Sequence, residues 1–337
     1  MTIKDLAAKT GYAVGTVSRA LNNHPNVSDK ARQAILQAAA ESGFSLNVNA
    51  KQLKQTHSNS ILVIVKGTRN ELFGEMLESI QSLIASTRYE LVVDYMDEDL
   101  NEVLRAVQLC REKKPLGLLF LGGNPQNFAG DFDKIDIPSV VVTNDASTLK
   151  FDNLSSVSTD DLEAGRCAIH TLADLGHRHI AVIGGFRETS ETSRLRFEGC
   201  KMAFAERGIA FDDTRDYQGV RFSAEDGYRA TKALMAAESD FTAIFAIADV
   251  MALGAIRALW ESGKRVPEDI SVMGVDGLPL GEFLVPQLAT IRQCVPEIAQ
   301  RGVRLLLDAV EEGRNASHET IPFEVRKRES IRKLEDE

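Results

Sequence analysis

Ile3, Leu6 and Ala7 recur at helical spacing behind Thr2, and Val14, Val17 and Leu21 repeat that spacing after Gly11. The pattern predicts two short helices joined by a turn of about four residues, a helix-turn-helix arrangement. Thr2 reads as a hydroxyl N-cap and Asp5 as a first-turn acid. Ser28 predicts the start of a third helix, Asp29 to about Ser42, with Ala31, Ile35, Leu36 and Ala39 inward and Gly43 as its stop.

At Ser60 the rhythm changes. Continuous apolar runs at Ile61–Val65, Leu91–Val93, Leu116–Leu121, Pro138–Val142, Ile180–Ile183, Thr242–Phe245 and Ile270–Gly274 read as buried strands. Helical stretches such as Leu72–Ser86 and Glu102–Cys110 stand between them. Alternation of this kind predicts parallel sheets with helices on both faces. The units are too many for one small sheet and lack an eightfold repeat, so the expectation is two doubly wound α/β lobes with a cleft between them.

Composition changes this picture at one point. The chain has 337 residues and a net charge of −10, which by itself argues against nucleic acid. Residues 1–60, however, carry seven Lys/Arg against three Asp/Glu, and the remainder 32 against 46. A basic head on an acidic body is a functional asymmetry. No run approaches ~18 apolar residues, and the N-terminus lacks a signal-peptide pattern, so the expectation is a cytoplasmic protein with no membrane contact. Cys110, Cys167, Cys200 and Cys294 stand singly, as buried thiols do. His170, His177 and His179 lack the carboxylate pattern of a metal site, and Gly184-Gly185 opens no nucleotide fingerprint. No metal, no cofactor and no enzymatic centre is expected.

The segment "TIKDLAAKTGYAVGTVSRALNNHPNVSDKARQAILQAAAESGF" closely resembles the N-terminal domain of the lac-repressor (LacI/GalR) family of bacterial transcription regulators. A recognition helix presents its N-terminal residues to base edges, which nominates Val14, Gly15 and Arg19, with Arg19 suited to a guanine. Thr16, Ser18 and Asn22 are placed for phosphates. The helix begins after Ala13, where the family usually has a Ser or Thr cap. Residues 46–59 resemble the family's hinge helix, though Leu46 stands where Pro is common. The resemblance implies that Asn49, Leu53 and Lys54 meet DNA, with Leu53 wedged into the minor groove; a plain polar linker is the other reading.

"LGHRHIAVIGG", "SRLRFEG", "ADVMALGAIRAL", "VPEDISVMGVDG" and "PQLATIRQ" extend the resemblance over the whole chain. They imply a two-lobed, periplasmic-binding-protein-like core at 60–330. Lobe 1 is expected at about 60–160 and 292–320, and lobe 2 at about 161–291 and 321–330. The head is expected at 1–45, and residues 331–337 form an acidic tail without leucine heptads. By resemblance, Arg196 and Asp276 bind effector polar groups, and Phe222 and Phe73 face the same crevice. Asp249 is either a ligand contact or a plain N-cap. Thr143-Asn144 and Ala248 depart from the family's usual polar residues. The implied protein is a homodimeric repressor that binds a pseudo-palindromic double-stranded DNA operator. Its effector is a sugar in the first reading and a nucleoside or purine in the second. A sugar-binding protein whose head contacts another protein is the remaining reading.

Overall fold

The computed structural model describes residues 2–21, 25–42, 58–237 and 240–334. The chain divides into two compact units, Met1–Ser58 and Asn59–Glu337.

The first unit contains α1 (Ile3–Thr10), α2 (Val14–Leu21) and α3 (Asp29–Glu41). Thr2 and Asp5 form a reciprocal capping box: the Thr2 hydroxyl accepts from the Asp5 N–H at 3.3 Å, and the Asp5 carboxylate accepts from the Thr2 N–H at 2.7 Å. Gly11 ends α1 at φ 71°, a left-handed cap that disfavours a side chain. Ser28 caps α3 through the Ala31 N–H. Leu6, Val17 and Ile35, one from each helix, are fully buried. Leu36, expected inward, faces out at 46% exposure, and Val14, nominated for base edges, is 42% exposed. Val14 opens α2 a turn before its first buried residue, Val17. In α3 the buried stripe runs Ala31, Ile35, Ala39, which turns Leu36 about 100° away. Gly43, Asn22 and the proposed hinge contacts Asn49, Leu53 and Lys54 lie outside the described residues.

The second unit holds two sheets. The first has the order β11-β5-β4-β3-β1-β2 and is parallel throughout. Its strands are β1 (Ser60–Lys66), β2 (Glu90–Met96), β3 (Gly117–Leu121), β4 (Ser139–Val142), β5 (Leu154–Ser158) and β11 (His318–Thr320). Strand alternation sorts its two faces. Ile61, Val63 and Val65 pack with α4 (Glu71–Ala85) and α11 (Val295–Glu312). Leu62 and Ile64 pack with α5 (Glu102–Lys113) and with Phe128 of α6 (Pro125–Asp131). Burial on both faces explains the uninterrupted apolar runs.

The second sheet has the order β12-β10-β9-β8-β6-β7, with only β12 antiparallel. It comprises β6 (Ile180–Gly184), β7 (Tyr217–Gly219), β8 (Ala243–Ala246), β9 (Ser271–Asp276), β10 (Ala289–Arg292) and β12 (Glu324–Arg326). Helices α7 (Asp161–Asp174) and α8 (Glu191–Glu206) pack together, as do α9 (Ala224–Ala236) and α10 (Asp249–Glu261). Glycines set both crossings: a Cβ on Gly165 would lie 1.9 Å from the Arg196 carbonyl oxygen, and one on Gly254 1.9 Å from that of Ala224. The chain passes between sheets after β5, after β10 and after β11. Residues 331–334 carry no helix; the Leu334 N–H donates to the Leu175 carbonyl at 2.8 Å. Among the described residues no helix is long and apolar enough to cross a membrane.

Candidate ligand cleft and nucleic-acid interface

In the head, Val14, Gly15 and Arg19 are exposed, while Thr16 and Ser18 are half-buried. Arg19 Nε donates to the Gly15 carbonyl at 3.1 Å, folding the guanidinium along its own helix. Ala13 supplies only its carbonyl to the start of α2, accepting from the Thr16 and Val17 N–H groups. Its methyl side chain caps nothing, which leaves the first N–H groups of α2 for another acceptor.

The core carries a cleft of about 860 Å³, counting its solvent-open mouth. Its walls come from the carboxyl ends of strands in both sheets, where ligands sit in open α/β folds. Lys66 ends β1, Gly122 follows β3 and Thr143-Asn144 follow β4; on the other sheet Phe186 follows β6, Phe222 follows β7 and Asp276 ends β9. The structure places Phe73, Arg196, Phe222 and Asp276 together on this cleft.

Asp276 is 2% exposed and sits at φ 121°. Its Oδ1 accepts from Gln293 Nε2 at 2.8 Å, while its Oδ2 is buried without a hydrogen-bond partner among the described residues. Burial pushes its carboxyl up to about 6, against the pull of the Arg196 charge and the Gln293 amide. The chain of bonds continues, since Thr159 donates to Gln293 Oε1 at 2.9 Å. Thr159 and Gln293 lie in two of the three segments that pass between the sheets, so Asp276 is wired to two crossovers. Thr143, a β-branched residue at φ 85°, also lines the cleft. Backbone strain of this kind collects at ligand sites.

Arg196 is 3% exposed. Its Nε donates to Asp161 Oδ1 at 2.8 Å, its Nη1 donates to the Ile247 carbonyl, and Nη1 lies 3.6 Å from Asp276 Oδ1. Burial opposes its charge, and Asp161 and Asp276 more than offset that, so its pKa is raised. The guanidinium therefore organises the cleft floor as well as facing it.

Asp249 is not among the residues that line the cleft. Its Oδ1 accepts from the Thr290 hydroxyl at 2.7 Å and its Oδ2 from the Leu278 N–H at 2.8 Å. It does not cap α10 either: the N-cap position is Ala248, without a side-chain bond. Gly274 makes room for it, since a Cβ there would lie 2.1 Å from Asp249 Oδ1. Burial first, and the Asp276 charge second, raise its pKa.

Several contacts bridge the cleft. Asn144 Nδ2 donates to Thr192 Oγ1 at 3.0 Å. Arg221, beyond β7, reaches Asp97 at 2.6 Å and Glu98 at 2.8 Å, beyond β2. Sequence reasoning missed Lys66, Glu98, Phe186 and Thr192. Each ends or follows a strand or opens a helix, so the end of an apolar run was the available signal.

His170 pairs with Glu206 at 2.7 Å. His177 is buried between Thr242 and the Arg332 carbonyl, and its burial lowers its pKa to about 4.

A three-helix head whose second helix is exposed on one side, followed in the chain by two α/β lobes that flank a cleft, defines the class of helix-turn-helix proteins that carry a ligand-binding-type core. Residues 2–47 match the family of bacterial regulatory proteins described as the lacI family, and residues 169–331 match a periplasmic binding protein-like domain. The transcriptional regulator MalR of Clostridium butyricum is 33% identical over 98% of this chain and 99% of its own. The structure of the Lac repressor dimer bound to operator and the anti-inducer ONPF covers 98% of this chain and 99% of its own, at 26% identity and a TM-score of 0.78. The CelR–cellobiose complex gives 25% identity and a TM-score of 0.71, over 98% of this chain and 99% of that one. The chain belongs to the LacI family: it is a DNA-binding transcriptional repressor, not an enzyme. Regulators of this family bind DNA operators and small-molecule effectors.

Proposed function

We propose that the chain acts in the cytoplasm as a homodimer on a pseudo-palindromic operator and that a sugar in the cleft controls it. The cleft observation that carries the sugar reading is the pairing of the Phe73 and Phe222 rings with the unpartnered Asp276 Oδ2. Aromatic faces receive the C–H face of a sugar ring, and a carboxylate oxygen accepts its hydroxyls. The cellobiose complex of a structural neighbour supports the same class. In the head, α2 supplies Val14, Gly15 and Arg19 to base edges and Thr16 and Ser18 to phosphates, with Asn22, Asn49, Leu53 and Lys54 assigned by family resemblance alone. Phe283 at 81% and Val285 at 95% exposure supply apolar surface for a second copy.

Thermal unfolding against sugars, nucleosides and purines tests the effector class. A sugar at about 100 times its dissociation constant adds roughly 2.7 kcal/mol, and the same sugar shifts operator occupancy in a mobility-shift titration. Stabilisation by purines alone overturns the sugar reading. Sedimentation showing a monomer at micromolar concentration overturns the dimer.

A further inference from the structure

This inference rests on the sugar reading above and narrows it: we propose that the cleft takes an uncharged, hydroxyl-bearing effector and excludes phosphorylated and carboxylated ones. The ground is the pairing of every cation at the cleft. Lys66 is 11% exposed at its side chain and is bound to Glu102, which is fully buried and also accepts from the Asn124 N–H and the Asn127 amide. Arg196 lies between two carboxylates, Asp161 and Asp276. Arg221, at the mouth, lies among three: Asp97, Glu98 and, at 3.6 Å, Asp99. Glu98 and Asp99 themselves line the cleft. Among the described residues, no cation lining the cleft stands without a carboxylate.

The helix starts at the cleft offer an anion little more. The Asn70 side chain accepts from the Leu72 N–H at the head of α4, and the Ser190 hydroxyl accepts from the Ser193 N–H at the head of α8. These N–H groups are the ones that would otherwise hold a phosphate. An entering anion would meet unmatched negative charge in a partly desolvated space, where Coulomb repulsion is strong. A neutral polyol avoids that cost, and its hydroxyl satisfies Asp276 Oδ2, the buried acceptor that lacks a donor.

The test uses the intact protein and matched probes followed by thermal unfolding and calorimetry. Neutral mono- and disaccharides are each set beside their phosphate ester and their uronate, with adenosine and adenosine monophosphate as a nucleoside pair. The expected result is binding by a neutral sugar, with its anionic partners weaker by about 100-fold or more, the scale of an uncompensated charge in a buried site. A phosphate ester or uronate that binds as tightly as its neutral partner overturns the inference. Adenosine binding, with adenosine monophosphate weaker and no free sugar bound, overturns the sugar reading and leaves the charge rule standing. A panel without any neutral ligand overturns both. Asp99→Asn, at a position two-thirds exposed, is expected to keep the fold and to narrow the neutral-to-anionic ratio by about threefold. An unchanged ratio overturns the electrostatic cause.

Discussion

Asp276 has one oxygen bonded to Gln293 and one awaiting a donor, and its carboxyl titrates at about 6. A carboxyl raised above its ordinary value favours the folded state when protonated. The free protein therefore loses this contribution as pH rises from about 4 through 6, and a hydroxyl donor recovers it. Effector affinity is accordingly expected to fall as pH drops through 6, by up to about tenfold per unit, in calorimetric titrations between pH 8 and 5. Asp276→Asn should flatten that profile; a profile unchanged by the substitution would assign the titration to another group, with Asp161 and Asp249 the nearest carboxyls. In the head, Arg19→Ala is expected to cost about 1–3 kcal/mol and to relax specificity at one symmetric base pair. Equal loss on every operator sequence would show that Arg19 reads no base. The identity of Asp276 was legible from its place in Val275-Asp276-Gly277. That one of its oxygens lacks a partner was not, because Gln293 lies 17 residues away and only the β9–β10 pairing brings the two together.

Helix packing makes its own demand. On α8, a Cβ at Gly199 would lie 1.9 Å from the Leu162 carbonyl oxygen, the reciprocal of the Gly165 approach to Arg196. Gly165→Ala is expected to destabilise by about 1–3 kcal/mol or more in urea unfolding and to weaken effector binding by displacing the helix that carries Arg196. Gly74→Ala, in α4 with nothing within 4 Å of its Cβ, is the control and is expected to gain about 0.5–1 kcal/mol. Loss at both positions would show a general intolerance of helix substitution instead of a crossing effect. The apolar strands β1, β3, β4 and β9 were legible because burial on both faces keeps their interior positions free of charged and polar side chains, which stand only at strand ends. β5, reading LSSVS, was not: its serines are buried, and Ser156 is bonded to His318 at 2.8 Å and to the Ala146 N–H at 3.0 Å. β11 and β12 are three residues each and exist only as edges to strands placed earlier.

At the scale of the whole molecule, the lobes are held together across the cleft by Arg221 and by Asn144–Thr192. Exposed ion pairs are individually weak, about 0–1 kcal/mol, and screened by salt. Arg221→Ala is therefore expected to increase the radius of gyration of the ligand-free protein in X-ray scattering at low salt. The difference should vanish with saturating effector, when ligand contacts replace the bridge. An identical radius in both proteins at every salt concentration would remove Arg221 from closure.

The sequence alone determined the elements whose signals are local: the capped helices of the head, the buried strands, the basic-to-acidic change near residue 60 and the family they resemble. Local signals survive in one dimension because caps, periodicity and charge depend on neighbours along the chain. The tertiary structure decided what depends on distant partners. It turned Asp249 from a ligand or cap into a brace between Thr290 and Leu278, engaged Arg196 with Asp161, and left Asp276 one oxygen short. Each of those outcomes is a competition for hydrogen bonds among residues 17 to 41 positions apart, and only the folded arrangement sets which partner is within reach.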